Sequence, residues 1–363
     1  MKIGKQLLKM GVPLAGVLMV AGSLFANGVD VAGASSSGQP SLKSLKGQTI
    51  VEASWGGVYT QAEKKDLWDP FTKATGIKVE AVINGSDPSI PAILGEQTHN
   101  QTIDLVTPLN PAIMISKGEI QQFPSWLLAT FKKYLRPTAY TKNYMEASDT
   151  STVIACNPAV MKKCPLTPAE FFNVKEYPGP RAIVNDPTEA IPMALEALGV
   201  PSDQLGGALN VSKAMKELKK IKPYISSWPD SGSQQQQLLT DKSVGAEIMW
   251  NGRAFVVQQT IPKLIISWSG ALLPEPQGYI VTKHAPNLQA TFAYFAWLAE
   301  HPKNQAKWVE TMTYPMPAKN LNSYLPANIA AALPVGKKVT ITSNLWDAQN
   351  ETLLANTWQS FLG

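Results

Sequence analysis

Histidine is scarce in this 363-residue chain: His99, His284 and His301 are the whole supply, and they are scattered. They lack ligand spacing, and none lies near a plausible nucleophile, which argues against a metal centre and against hydrolase chemistry. Neither a G-x-S-x-G elbow nor an H-E-x-x-H helix is present. Charge is sparse as well, at 16% of residues against 44% hydrophobic, and ten Trp, ten Tyr and ten Phe are present. A disordered chain has the opposite balance. The formal charge is +5, but basic residues cluster no further than pairs such as Lys219-Lys220, so a nucleic-acid surface is not indicated. Long apolar runs are missing too. The 16 residues from Gly11 to Ala26 fall short of the roughly 20 that span a bilayer.

That run reads instead as the apolar part of a secretory signal. Lys2, Lys5 and Lys9 precede it, and Ala32-Gly33-Ala34 offers a small-x-small cleavage site, so residues 1–34 are expected to be removed somewhere between Ala26 and Ala34. The alternative is a retained anchor. No cysteine lies nearby to carry a lipid. Cleavage leaves 29 basic against 26 acidic residues, an exported and soluble chain, in the periplasm. In an oxidising compartment Cys156 and Cys164, eight positions apart, suit a disulfide, with two buried thiols as the alternative. Neither a cofactor nor a metal is expected.

Residues 35–46 are polar and small, a flexible leader. Beyond them, strand and helix patterns alternate. Gln48–Ala53 reads as a strand, 60–75 as a helix stopped by Gly76, and Ile77–Val82 as a strand. A helix around 89–96 and a buried strand at 103–106 follow. The middle repeats the logic, with strands at 151–155, 181–184, 245–250 and 279–282 and helices at 168–172, 186–198, 211–222, 233–239 and 288–299. Helix-connected strands imply an α/β chain whose parallel sheets are covered by helices, and the length suits two domains.

Four segments stand out. Asp186-Pro187-Thr188-Glu189 has the N-cap, N1 and N3 residues of a helix start, and it also sets two carboxylates where a cationic ligand could pair with them. Trp55-Gly56-Gly57 with Tyr59 follows the first strand; it serves either a tight turn with a core tryptophan or an apolar, cation-binding wall. No Lys-Ser/Thr follows, so it is no P-loop. Asn251-Gly252 after Met249-Trp250 signals a turn, which puts Trp250 at a sheet edge, in the core or against a ligand. Arg253 then reads as a surface or salt-bridging residue unless the ligand is an anion. Glu275 and Gln277 fall in an extended loop between or beside prolines.

Taken in order, Val51–Tyr59, Pro178–Ala182, Met249–Phe255 and Tyr314-Pro315-Met316-Pro317 resemble the spermidine/putrescine-binding family of extracellular solute-binding proteins that serve ABC importers. The resemblance runs from about Gly47 to Trp358. It implies a two-lobed type II periplasmic binding protein fold, each lobe a mixed sheet flanked by helices, with ligand in the cleft between them. Lobe 1 would comprise 47–152 and 282–320, and lobe 2 would comprise 153–281. Crossings would fall at Thr152–Ala155 and Tyr279–Thr282, and 321–363 would pack on the lobes. The resemblance also implies a monomer that binds a small polyamine-like cation and an inner-membrane permease. Asp186 and Glu189 would take ammonium groups, and Trp55, Tyr59, Trp250 and Tyr314 would wall the site. The family's central aspartate falls on Gln277, the aromatic residue two before it on Glu275, and a tyrosine-bearing segment on Pro108-Leu109-Asn110-Pro111. Because a Gln cannot balance an ammonium, a smaller amine is as suitable as spermidine. An amino-acid conjugate, an opine or a carboxylate is the alternative, and it would require Arg181 or Arg253 to face the cleft. An exported enzyme using Asp186 and Glu189 is a remote third, since the two sit too close together to flank a bond. The adjacent tyrosines and histidine of ferric binders are missing.

Overall fold

A computed structural model describes residues 38–363 apart from 84–86, 109, 202–203, 206–207, 276 and 335. The signal expected over residues 1–34 lies outside the described residues. Within the expected flexible leader, Leu42–Leu45 forms a helical turn, and Leu45 is buried in the core of the first lobe.

The first strand, β1 (Thr49–Ala53), pairs in parallel with β2 (Lys78–Val82) and β3 (Leu105–Val106). The helical run between β1 and β2 spans Gly57 to Thr75 and is interrupted by a π-helical segment, Lys64–Trp68. The sequence explains the interruption. Pro70 has no N–H to give the carbonyl of Asp66, and the Asn304 side chain donates to that carbonyl instead, at 2.9 Å.

The larger sheet is built from β4 (Thr152–Cys156), β5 (Arg181–Ile183), β6 (Ile225–Ser227), β7 (Ala246–Trp250) and β8 (Ile265–Glu275). One strand, β9 (Ile280–Val281), returns to the smaller sheet, whose order is β2-β1-β3-β9. The last, β10 (Thr340–Ser343), joins the larger one, in the order β10-β8-β4-β7-β5-β6. Both sheets are mixed: β9 runs antiparallel to β3, and β4 antiparallel to β7 and β8. Every residue of β4 is buried, as expected of a central strand with helices on both faces. This is the two-lobed arrangement that the resemblance implied.

The chain crosses between lobes beside β4 and β9 rather than along them, since each of those strands lies wholly within one sheet. The crossing backbones pair where Met145 and Tyr279 exchange N–H···O bonds of 3.1 and 2.8 Å. Gln277 fastens them further. Its Oε1 accepts from the Thr150 N–H (2.9 Å) and hydroxyl (2.7 Å), and its Nε2 donates to the carbonyls of Thr150 (3.0 Å) and Pro274 (2.7 Å). The C-terminal residues tie both lobes: Asn110 Nδ2 donates to the Asn344 carbonyl (2.9 Å), and Trp358 Nε1 donates to Asn185 Oδ1 (2.7 Å). Cys156 and Cys164 form a disulfide, with Cα atoms 5.8 Å apart. Among the described residues, no helix is long and apolar enough to cross a membrane.

Candidate functional site

The lobes meet at a cavity of about 30 Å3, room for only a few water-sized groups. Its walls come from three places that the fold brings together. The first is the end of β1. Gly56 (φ 74°) and Gly57 (φ 58°) take left-handed backbone that a side chain would strain, and this turn points Trp55 and Tyr59 into the cleft. A Cβ on Gly57 would come within 3.3 Å of Ser233 on the opposite lobe, so the lobes approach closely here. Trp55 Nε1 donates to the Thr107 carbonyl at 2.9 Å, which fixes its ring.

The second wall is the junction after β7. Asn251-Gly252, read from sequence as a turn, opens the helix Asn251–Thr260. The Asn251 side chain outcompetes the turn by bridging three segments. Its Oδ1 accepts from the Ser151 N–H (2.9 Å), and its Nδ2 donates to the Thr313 carbonyl (3.0 Å). Gly252 is required because a Cβ there would lie 2.2 Å from the Met312 carbonyl. The junction leaves Trp250 and Arg253 facing the same cavity, together with Tyr314. Trp250 meets Trp55 edge to face, with centroids 6.0 Å apart.

The third wall is the hinge, where Ser148, Thr150, Gln277 and Gly278 line the cavity. Ser148 holds a left-handed φ of 54° that costs a non-glycine residue energy, and its hydroxyl accepts from Tyr59 at 3.0 Å.

Of the eight residues expected to bind ligand, Trp55, Tyr59, Trp250, Gln277 and Tyr314 line this cavity, whereas Asp186, Glu189 and Glu275 do not. Glu189 is buried with both oxygens engaged: Oε1 accepts from Trp250 Nε1 and Oε2 from Thr152 Oγ1, each at 2.7 Å. Burial, and then the nearby Asp186 charge, push its carboxyl up to about 8. It therefore carries a proton at neutral pH and acts by orienting Trp250. Asp186 caps the helix Pro187–Ala197, accepting from the N–H and the hydroxyl of Thr188 at 2.7 Å each. The reciprocal half of a capping box is missing, because the Asp186 N–H donates to the Val184 carbonyl. Burial, opposed by the Thr188 hydrogen bonds, pushes Asp186 up to about 6. Glu275 faces a separate hollow with Tyr144, Glu146 and Asp149. Gln277 spends its amide on the hinge.

Arg253 is the residue that sequence reasoning weighted wrongly. It is 5% exposed, and its Nε and Nη1 are buried with no hydrogen-bond acceptor. No carboxylate pairs with it among the described residues. A guanidinium buried with two nitrogens unpaired is costly, and native structures rarely keep one without a purpose. Gly232 makes room for it, since a Cβ there would fall 2.2 Å from Arg253 Nε. No spacing signal marked Arg253, because its burial comes from packing against a distant segment, at Gly232. Arg181, the other candidate cation, is wholly buried and donates to the carbonyls of Phe171, Tyr177 and Gly179, so it serves the second lobe's core.

Replacing Gly232 with Ala is accordingly expected to displace Arg253. Loss of one charge-assisted hydrogen bond, about 1.5–3 kcal/mol, weakens solute binding by about tenfold or more, while the melting temperature barely changes. Calorimetry beside a thermal melt checks both halves.

The profile of the bacterial extracellular solute-binding protein family matches residues 66–334. A curated relative, the γ-aminobutyric acid-binding protein of Pseudomonas aeruginosa, is 26% identical over 294 residues, 79% of this chain and 82% of the relative. The spermidine/putrescine-binding periplasmic protein of Escherichia coli is 26% identical over 322 residues, 84% and 86% of the two chains. A solved structure described as a GABA receptor superposes with a TM-score of 0.77 at 25% identity, over 87% of this chain and 98% of its own. These relatives are solute-binding proteins rather than enzymes. The chain belongs to the bacterial extracellular solute-binding protein family.

Proposed function

We propose that the cleft binds a short zwitterion of the γ-aminobutyric acid type and delivers it to the permease of an ABC importer. The observation that carries the reading is the buried guanidinium of Arg253 in the cavity wall, whose Nε and Nη1 have no acceptor. A carboxylate supplies the two acceptor oxygens that this guanidinium lacks, and the N-terminus of the helix Asn251–Thr260 adds positive potential beside it.

The ammonium end has aromatic faces to rest on, from Trp55, Tyr59, Trp250 and Tyr314. A dication such as putrescine would instead place a positive charge against Arg253. Nor does Glu189 offer a free oxygen to balance it, since both are taken. The small cavity favours a short solute over an extended triamine. The relative named for γ-aminobutyric acid binding is consistent with this preference. Thus the carboxylate alternative weighed from the sequence is favoured over the polyamine. Lobe closure around the solute shifts a population of open and closed forms, with Gln277 and Thr150 at the hinge.

The test is calorimetry of the mature chain against γ-aminobutyrate, butyrate, butylamine and putrescine. The zwitterion is expected to bind tightest, and butyrate to keep more affinity than butylamine. Putrescine binding above γ-aminobutyrate overturns the reading and restores the polyamine.

A further inference from the structure

Beside the cleft, on the second lobe, lies another cavity of about 410 Å3. Its walls are mostly apolar, with Thr342 and Ser343 beside Asp347. Pro187, Ile191 and Pro192 come from the helix Pro187–Ala197, and Trp346 and Leu354 from the two C-terminal helices, Asn344–Gln349 and Glu351–Leu362. One ionisable group lines it. Asp347 is 8% exposed, lines the cavity, and its carboxylate has no hydrogen-bond or ion-pair partner among the described residues. Burial, and then the charge of Asp186, push its carboxyl up to about 7. Such a group is expensive to ionise where it stands, unless something positive arrives to meet it.

The arrangement matches one ligand chemistry. A carboxylate at the rim of an apolar pocket, with an indole beside it, takes an ammonium head, and the proline and leucine walls take a hydrocarbon body. We propose that this pocket is a second binding site, for a primary ammonium carried on a compact hydrocarbon. Its chemistry is the reverse of the cleft's. The cleft offers a guanidinium to an anion, and this pocket offers a carboxylate to a cation. The two C-terminal helices are tied in place: Trp358 Nε1 donates to Asn185 Oδ1 at 2.7 Å, and Ser343 caps the helix that carries Asp347. The pocket is therefore built into the C-terminal segment's packing on the second lobe.

The probe is cyclohexylammonium, titrated into the mature chain and followed by NMR line-broadening and by tryptophan fluorescence. Cyclohexanol and cyclohexanecarboxylate serve as controls of the same shape. Cyclohexylammonium is expected to bind at least tenfold more tightly than either control. Asp347→Asn is expected to lower that affinity tenfold or more while leaving the melting temperature and circular dichroism close to those of the parent. Arg253→Met is expected to leave it unchanged. Asp347→Ser provides a second variant if the Asn form misfolds. Equal binding of cyclohexanol, or full affinity in a folded Asp347 variant, overturns the proposal. A change of affinity in Arg253→Met, gain or loss, also overturns it, by assigning the probe to the cleft, and so does the absence of binding at millimolar concentration.

Discussion

Arg253→Met is expected to abolish useful binding of a γ-aminobutyrate-like solute, raising Kd by about thirtyfold to several thousandfold. That range is the roughly 2–5 kcal/mol lost when one partner of a buried, hydrogen-bonded charge pair is truncated. The unliganded protein should behave in the opposite way. Arg253 Nε and Nη1 are buried without acceptors, so the empty site already bears the cost of an unpaired charge. A methionine of similar length removes that cost, and the melting temperature without ligand is expected to hold or rise. The ligand-induced increase in melting temperature should vanish. The pair of results is diagnostic, because a merely structural arginine would lower the melting temperature when removed. Wild-type affinity in the variant places the anion site elsewhere.

Stability is expected to fall as pH rises from about 5 to about 8.5. Four carboxyls sit well above their ordinary values: Glu63 at about 7, Asp186 at about 6, Glu189 at about 8 and Asp347 at about 7. Burial is the largest cause for each. The folded chain therefore holds protons that the unfolded chain releases near pH 4 to 4.5. Between those values the folded state binds more protons than the unfolded, so unfolding is favoured with every step upward in pH. The stabilisation is complete below the unfolded values and is lost as pH passes through the folded ones. Below about pH 4.5 the trend reverses as Glu96 and Glu170 begin to protonate: burial raises Glu96 but hydrogen bonds, chiefly from His284, outweigh it, and a hydrogen bond from the Leu166 N–H holds Glu170 down. Thermal melts across the range measure the curve. Glu189→Gln stands in for the uncharged acid, keeping an acceptor for Trp250 while the Thr152 hydroxyl turns from donor to acceptor. It should flatten the part of the curve near pH 8. A melting temperature that climbs from pH 5 to 8.5 refutes the assignment.

The fold could be read from the sequence where periodicity and capping agreed. The helix at 168–172 and the strand at 246–250 fall within a residue of expectation, because Thr167 caps the first and β-branched and apolar residues fill the second. The long strand β8 escaped notice because its half-exposed residues lack a clean alternation. The Asn251-Gly252 turn failed for a different reason. A dipeptide propensity yielded to side-chain hydrogen bonds reaching Ser151 and Thr313, and no local pattern encodes partners 62 and 100 positions away.

The site shows the same division. Trp55, Tyr59 and Trp250 stood out because they follow or end strands, where clefts open in α/β folds, whereas Tyr314 came only from the family resemblance. Asp186 and Glu189 were legible as a pair, but the capping hydrogen bonds and the Trp250 indole decide where their oxygens point. Arg253 was seen and discounted, since exposure is a property of packing. The charge of the cleft lining thus came out opposite to the one the acidic motif suggested.

The amide of Gln277 is spent entirely on Thr150 and Pro274, which divides the labour of the cleft between two sets of residues. The hinge is fastened chiefly by Gln277 and Thr150, whereas the proposed solute contacts Trp55, Trp250, Arg253 and Tyr314 lie off it, and Tyr59 alone touches both, through Ser148. On the proposed reading, cargo preference can then drift, in evolution or at the bench, by exchanging residues at 55, 250, 253 and 314 while the hinge is inherited intact. An environment-sensitive dye attached across such a hinge would report closure for whatever cargo the walls were redrawn to accept.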